Sequence, residues 1–232
     1  QIKQELNLSD TQFGILVATP ILTGALSRLI LGIWTDQYGG RIVMTLTMVL
    51  SAISTYLLTS VETYQMFLVA ALGVGLAGGT FAVGITYVSA WYEKEKQGTV
   101  LGIFGVGNVG AALTNFGAPF IMLALGWQGL AKTYAIIIFV SAVLFYLFAK
   151  DDPKFIARKT KKEKPRSILQ QIEPLKKLQV WRFSLYYFFV FGGFVSLALW
   201  LPNFYVLVYH VDIPTAGLLA AAYALPGSIF RA

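Results

Sequence analysis

The sequence has no cysteine and a single histidine, His210, among 232 residues. These absences exclude disulfides and thiolate metal sites, and one histidine does not build a metal centre alone. Charge is scarce as well. Asp, Glu, Lys and Arg make up 12% of the chain, against about 25% in an ordinary soluble domain. The eleven acids are Glu5, Asp10, Asp36, Glu62, Glu93, Glu95, Asp151, Asp152, Glu163, Glu173 and Asp212. All fall at the ends of apolar runs or between them, and none lies deep within one. No nucleophile–base pair, metal cluster or framed phosphate loop is present, so an enzyme is not expected.

What the chain has in abundance is apolar sequence. Hydrophobic residues reach 56% and mean hydropathy is +0.67, in runs long enough to cross a ~30 Å hydrocarbon layer. Spans are expected at about 11–34, 42–59, 65–91, 98–125, 130–148 and 183–209, with a seventh opening near Pro214. Ser9 with Gln12 reads as a capping box before the first. Polar turns are expected at Asp36–Arg41, around Lys132, and at Glu93-Lys94-Glu95-Lys96. No cleavable signal peptide is visible.

The net charge of +7 is not a nucleic-acid footprint. Eleven of the 18 Lys and Arg residues lie between Lys150 and Arg182, as in a cytoplasmic loop under the positive-inside rule. The expected organisation is an N-terminal bundle over 1–149, a basic cytoplasmic loop over 150–181 and the start of a second bundle over 182–232. Within the loop, Ile168, Leu169, Ile172, Leu175 and Leu178 fit a short amphipathic helix on the inner membrane surface. His210, at the outer end of its span, reads as an interfacial histidine.

Arg28 stands inside an apolar, uncharged stretch. An arginine there is costly and marks function by default. The same pattern returns 203 residues later: Gly14, Ala18, Leu22, Gly24 and Arg28 match Gly217, Ala221, Leu225, Gly227 and Arg231 without a gap. Six span starts separate the copies, and both run outside to inside. This predicts parallel repeats of six helices, with an anion held between related halves. Two planar guanidinium forks suit an oxyanion, which would supply the negative charge that no acid at that depth provides. On this reading the sequence is a piece of a longer chain, stopping in mid-helix after Arg231.

Gly32, Asp36, Gly39 and Arg41 fit G-x-x-x-D-x-x-G-x-R. This resembles the loop signature of the major facilitator superfamily. The resemblance implies an all-α membrane protein of two six-helix bundles working by alternating access, with this chain covering helices two to eight. Two G-x-G-x-x-G matches, Gly73–Gly78 and Gly105–Gly110, lie within apolar spans and lack the strand–turn–helix frame of a dinucleotide site. The first reads as helix packing. The second encloses Asn108, whose amide can donate to an oxyanion.

Gly105-Val-Gly107-Asn108-Val-Gly110 is similar to the glycine-rich signature of the nitrate/nitrite porter family. That resemblance covers essentially the whole chain. It implies nitrate and nitrite as ligands, with Arg28 and Arg231 as the clamp, Asn108 as a neutral donor, and Gly105, Gly107 and Gly110 giving backbone closeness. Tyr187, Phe191 and Phe81 are the matching aromatics. It implies transport across the cytoplasmic membrane; no cofactor and no obligatory protein partner are expected, and a monomer is. Because no acid lies deep within a span and the single histidine sits at an outer end, no proton carrier is evident and nitrate/nitrite exchange is expected. Alternatives are nitrate–proton symport, a facilitator for another small anion, and a transporter-like anion sensor.

Overall fold

The computed structural model describes residues 2–162 and 167–230. Helices occupy α1 (Ile2–Glu5), α2 (Asp10–Tyr38), α3 (Gly40–Leu57), α4 (Tyr64–Ser89), α5 (Lys94–Gly105), α6 (Val109–Phe148), α7 (Pro153–Thr160), α8 (Ile168–Ile172), α9 (Leu178–Tyr209) and α10 (Ile213–Ile229). Five described segments are long and apolar enough to cross a membrane: 10–38, 40–60, 64–89, 94–148 and 178–209. Bulky apolar side chains such as Leu26, Leu29, Leu46, Leu147 and Phe188 point outward, which suits a lipid solvent rather than water.

Local signals set the helix ends. Ser9 caps α2 through a complete capping box with Gln12. Thr63, Asp152 and Asp212 cap α4, α7 and α10 through their side-chain oxygens, each satisfying an amide that the helix leaves open.

Several boundaries differ from the sequence expectation. The polar turn placed at Asp36–Arg41 is one residue long. Asp36 continues the helix, and Gly39 alone turns the chain, with φ +87° and its N–H on the carbonyl of Thr35. Of the charged segment after α4 only Glu93 is outside a helix, because α5 starts at Lys94 rather than Gly98. No loop holds Lys132. Helix runs from Val109 to Phe148, broken at Gly126 (φ 70°, ψ 178°), so a single glycine replaces the expected connection. The basic loop contains α7, and α9 begins inside it at Leu178 rather than at 183. The amphipathic segment is helical only over Ile168–Ile172. It tightens to a 3₁₀ turn at Glu173–Lys176, where Pro174 cannot donate an α-helical bond. The last helix ends at Ile229, and Arg231 lies outside the described residues.

The chain forms two compact units. One comprises 1–93 and 125–166; the other comprises 94–124 and 167–232. In the first, α2 and α4 make the closest pair. Gly24 opposes Gly75 and Gly78, and a Cβ on Gly75 would lie 2.5 Å from the Pro20 carbonyl oxygen. Ser27 and Leu31 fill the space over Gly79. Between α3 and α4, Gly40 receives the Tyr87 ring and Gly73 receives Ser54. This is small-residue packing, the usual way membrane helices gain contact where lipid removes the hydrophobic drive. At one end Leu8, Leu16, Phe67, Ala71 and Trp127 form a buried cluster, with Trp127 Nε1 donating to Glu5 at 2.8 Å.

In the second unit, the segment 94–124 packs with α9 and α10. A Cβ on Gly217 would lie 2.4 Å from the Asn115 carbonyl oxygen. Asn115 Nδ2 donates to the Ala198 carbonyl at 3.3 Å. Ala112, Ala221 and Ala224 form the core, flanked by Phe194 and Tyr223.

Candidate functional site

Arg28 sits on the α2 face that meets α4. The facing glycines bring the two backbones close: a Cβ on Gly78 would lie 3.1 Å from the Gly24 Cα. One turn further along α2, the half-buried Arg28 donates from Nε to the Gly78 carbonyl at 3.2 Å. Its guanidinium carbon is 6.0 Å from the centroid of the Phe81 ring, within cation–π range. Arg28, Gly78 and Phe81 thus form one local group. Sequence reading names Arg28 and Phe81 but not Gly78's carbonyl, because a backbone acceptor leaves no residue-type signal.

In the second unit, the glycine run of 94–124 is locally rewound. α5 closes at Gly105, Val106–Asn108 forms a 3₁₀ turn, and α6 restarts at Val109. Asn108 Nδ2 donates to the Gly105 carbonyl at 2.8 Å, so one amide hydrogen is held by its own helix. A Cβ added at Gly105, Gly107, Gly110 or Gly117 would meet no atom within 4 Å. The space beside their Cβ directions is open, while the 3₁₀ turn that holds Gly107 packs near α10. The first glycine motif does pack closely, at Gly73, Gly75, Gly78 and Gly79.

Tyr187 and Phe191 stack at 5.0 Å with 16° between planes. The stack continues to Phe194 (6.4 Å, 23°) and to Tyr223 of α10 (6.0 Å, 29°). The i, i+4 spacing of Tyr187 and Phe191 makes their stacking legible in sequence. Phe194 and Tyr223 are not, since they meet across two helices. Arg231 lies outside the described residues, so its position relative to these groups is not described.

The loop motif takes its partners from distant parts of the chain. Arg41 donates from Nε and Nη2 to the Tyr146 carbonyl at 3.1 and 2.7 Å, and its guanidinium lies 4.6 Å over the Tyr146 ring. Gly39 is covered by Phe155 of α7, whose ring would be 3.1 Å from a Cβ there. Gly32 meets no neighbour within 4 Å, so the tight approach belongs to Gly39 and Gly40 alone. Asp36 is half-buried on α2. His210 is exposed, in a left-handed conformation (φ 55°) that ends α9.

Among the described residues, no group of three or more His, Cys, Asp or Glu side chains could hold a metal. The arrangement is a polytopic helical membrane protein, its spans joined through glycine and alanine, with a cation held against a helix backbone and an aromatic ring. The chain belongs to the Major Facilitator Superfamily, whose profile matches residues 1–232. It is a multi-pass membrane protein.

The chain is 38% identical over 99% of its length to a probable nitrate/nitrite antiporter NarK1 from Thermus thermophilus. It is 32% identical over all of its length to a nitrite extrusion protein from Bacillus subtilis. It is 33% identical over 98% of its length to a probable nitrate/nitrite transporter NarK2 from Mycobacterium tuberculosis. It covers 53%, 57% and 57% of those proteins, so the chain spans about half the length of the curated relatives it matches. No solved structure matches it.

Proposed function

We propose that the protein carrying this chain is a secondary transporter that moves nitrate and nitrite across the cytoplasmic membrane by alternating access, exchanging one for the other. The observation that carries the reading is Arg28, held by Gly78 and beside Phe81. It lies in a chain whose relatives are named for nitrate and nitrite. In this reading Arg28 and Arg231 clamp a planar monovalent oxyanion. Asn108 adds a neutral hydrogen bond, and Gly105, Gly107 and Gly110 give backbone closeness at the anion. Tyr187, Phe191 and Phe81 keep the site dry and shape it to a flat ligand.

Two cations brought near one another repel when no anion is bound. An anion removes that repulsion and favours the closed, translocating arrangement. With an arginine-only site the return step needs another anion, which is why exchange is proposed over proton symport. The bundle division at 149 and 181, a basic segment on the cytoplasmic side, a monomeric state and a non-enzymatic role belong to the same proposal. So does a conformational role for Gly32, Asp36, Gly39 and Arg41.

The test is nitrate uptake by the full-length protein in proteoliposomes, with and without internal nitrite and with and without an imposed pH gradient. Uptake that requires internal nitrite and ignores pH is the expected result. Uptake driven by a pH gradient with no internal anion would establish symport instead. Uptake blocked by another small anion, but indifferent to nitrite, would assign a different substrate.

A further inference from the structure

Pro153–Lys162 carries Lys154, Arg158, Lys159, Lys161 and Lys162 and no acid. The four lysines are exposed, and Arg158 is half-buried with its guanidinium 5.8 Å over the Phe155 ring. Such a run is commonly a solvated, mobile loop, but here it is pinned. Asp152 is buried and caps α7, accepting from the Phe155 amide at 2.8 Å. Phe155 seats on Gly39, where α2 turns into α3. Just upstream, Tyr87 Oη donates to the Lys150 carbonyl at 2.5 Å. The cations therefore cannot swing away without unseating Phe155 and opening a helix cap.

The membrane level of this anchorage follows from the chain. α6 ends at Phe148, and the four residues before α7 reach at most about 14 Å when fully extended. Tyr38 ends α2, Trp91 and Tyr92 follow α4, and Tyr146 lies in the last turn of α6. All four side chains are exposed. Aromatic residues at span ends mark the level of the headgroups. Ile156 of α7 is half exposed on the same short helix.

We propose that α7 and the turn that follows it are a binding surface for anionic phospholipid headgroups of the adjoining leaflet, with Lys154, Lys159, Lys161 and Lys162 as the main contacts. Compact ammonium charges on flexible stems suit a diffuse layer of lipid phosphates, whereas a discrete anion favours a fixed arginine fork. The exposed Ile156 adds an apolar contact at the headgroup boundary. This inference rests on the membrane placement and is independent of the transported substrate.

Native mass spectrometry of the full-length protein, released from bilayers of mixed phosphatidylcholine and phosphatidylglycerol, provides the test. The wild type should retain phosphatidylglycerol selectively. The K154Q/K159Q/K161Q/K162Q variant should retain about tenfold less or lower, while K176Q/K177Q/R182Q retains as much as wild type. Equal retention in the first variant, or equal loss in the second, overturns the assignment. Displacement by millimolar inorganic phosphate also overturns it, in favour of a soluble-phosphate site. If the quadruple variant does not fold, a spin label at Ile156→Cys in the otherwise wild-type chain decides. It should lie deeper in anionic than in neutral bilayers and rise in 1 M salt; equal depth in both bilayers overturns the proposal.

Discussion

Arg28 donates through Nε to the carbonyl oxygen of Gly78 across the α2–α4 seam, at 3.2 Å. That carbonyl is reachable because Gly24 and Gly78 face each other without side chains. With Nε engaged, the planar fork is oriented by the neighbouring helix. Arg28→Lys conserves charge but removes this anchor and the fork. In the full-length protein it should reduce nitrate transport by about tenfold or more with folding retained, because a point charge does not reproduce bidentate geometry. Near-normal uptake by the folded variant would refute the clamp.

The α2–α4 contact itself has a stability consequence. A Cβ at Gly75 would be 2.5 Å from the Pro20 carbonyl oxygen and 2.7 Å from the Thr23 Cβ. Gly75→Val should destabilise the protein by about 1–3 kcal/mol through overpacking. By contrast Gly98, with no atom near its Cβ direction, should accept alanine with a change of about 0.4–1 kcal/mol in the stabilising direction. Thermal unfolding in detergent separates the two, and similar melting temperatures would argue against the packing described.

Gly39 carries both constraints at once, a positive φ of 87° and the Phe155 ring over its face. Gly39→Ala should cost about 1–3 kcal/mol and loosen α7. Limited proteolysis within 153–162 reads this directly, with faster cleavage expected in the variant. Unchanged cleavage would mean that α7 is held elsewhere.

Asp212 caps α10, and its hydrogen bonding with Thr215 holds the carboxyl below the usual Asp range. A carboxylate whose folded pKa is lowered contributes stability above its ordinary pKa and loses it as pH falls through the lowered value. Protection of the Thr215 amide, corrected for intrinsic exchange, should therefore fall on acidification below the ordinary Asp range and recover on return. Asp212→Asn keeps a capping oxygen that does not titrate, so its protection should be flat over the same pH window. A parallel acid loss in the Asn variant would place the titration in another group.

Much of this protein is legible from residue order alone. Long apolar runs separated by scarce charges specify a multi-span helical membrane protein, because lipid demands a fully paired backbone and runs of this length fit helices rather than the shorter strands of a barrel. The caps at Ser9 and Asp212 act within three residues of themselves, and the stacking of Tyr187 on Phe191 lies within one helical turn. The register shared by Arg28 and Arg231, and the spacing from Gly32 to Arg41, are sequence properties as well.

What tertiary structure decided are the relationships between distant residues. Which glycines leave space for a side chain depends on the opposing helix: a Cβ at Gly75 would meet Pro20, while one at Gly107 would meet no atom within 4 Å. Arg41 takes the Tyr146 carbonyl 105 residues away, an acceptor that every residue possesses and no residue type announces. Phe155 became the cover of Gly39 because α7 folds back onto the α2–α3 turn. Hydrophobic periodicity says where a helix is apolar, but in a membrane nearly every face is, so only close approach of particular backbones selects the partners.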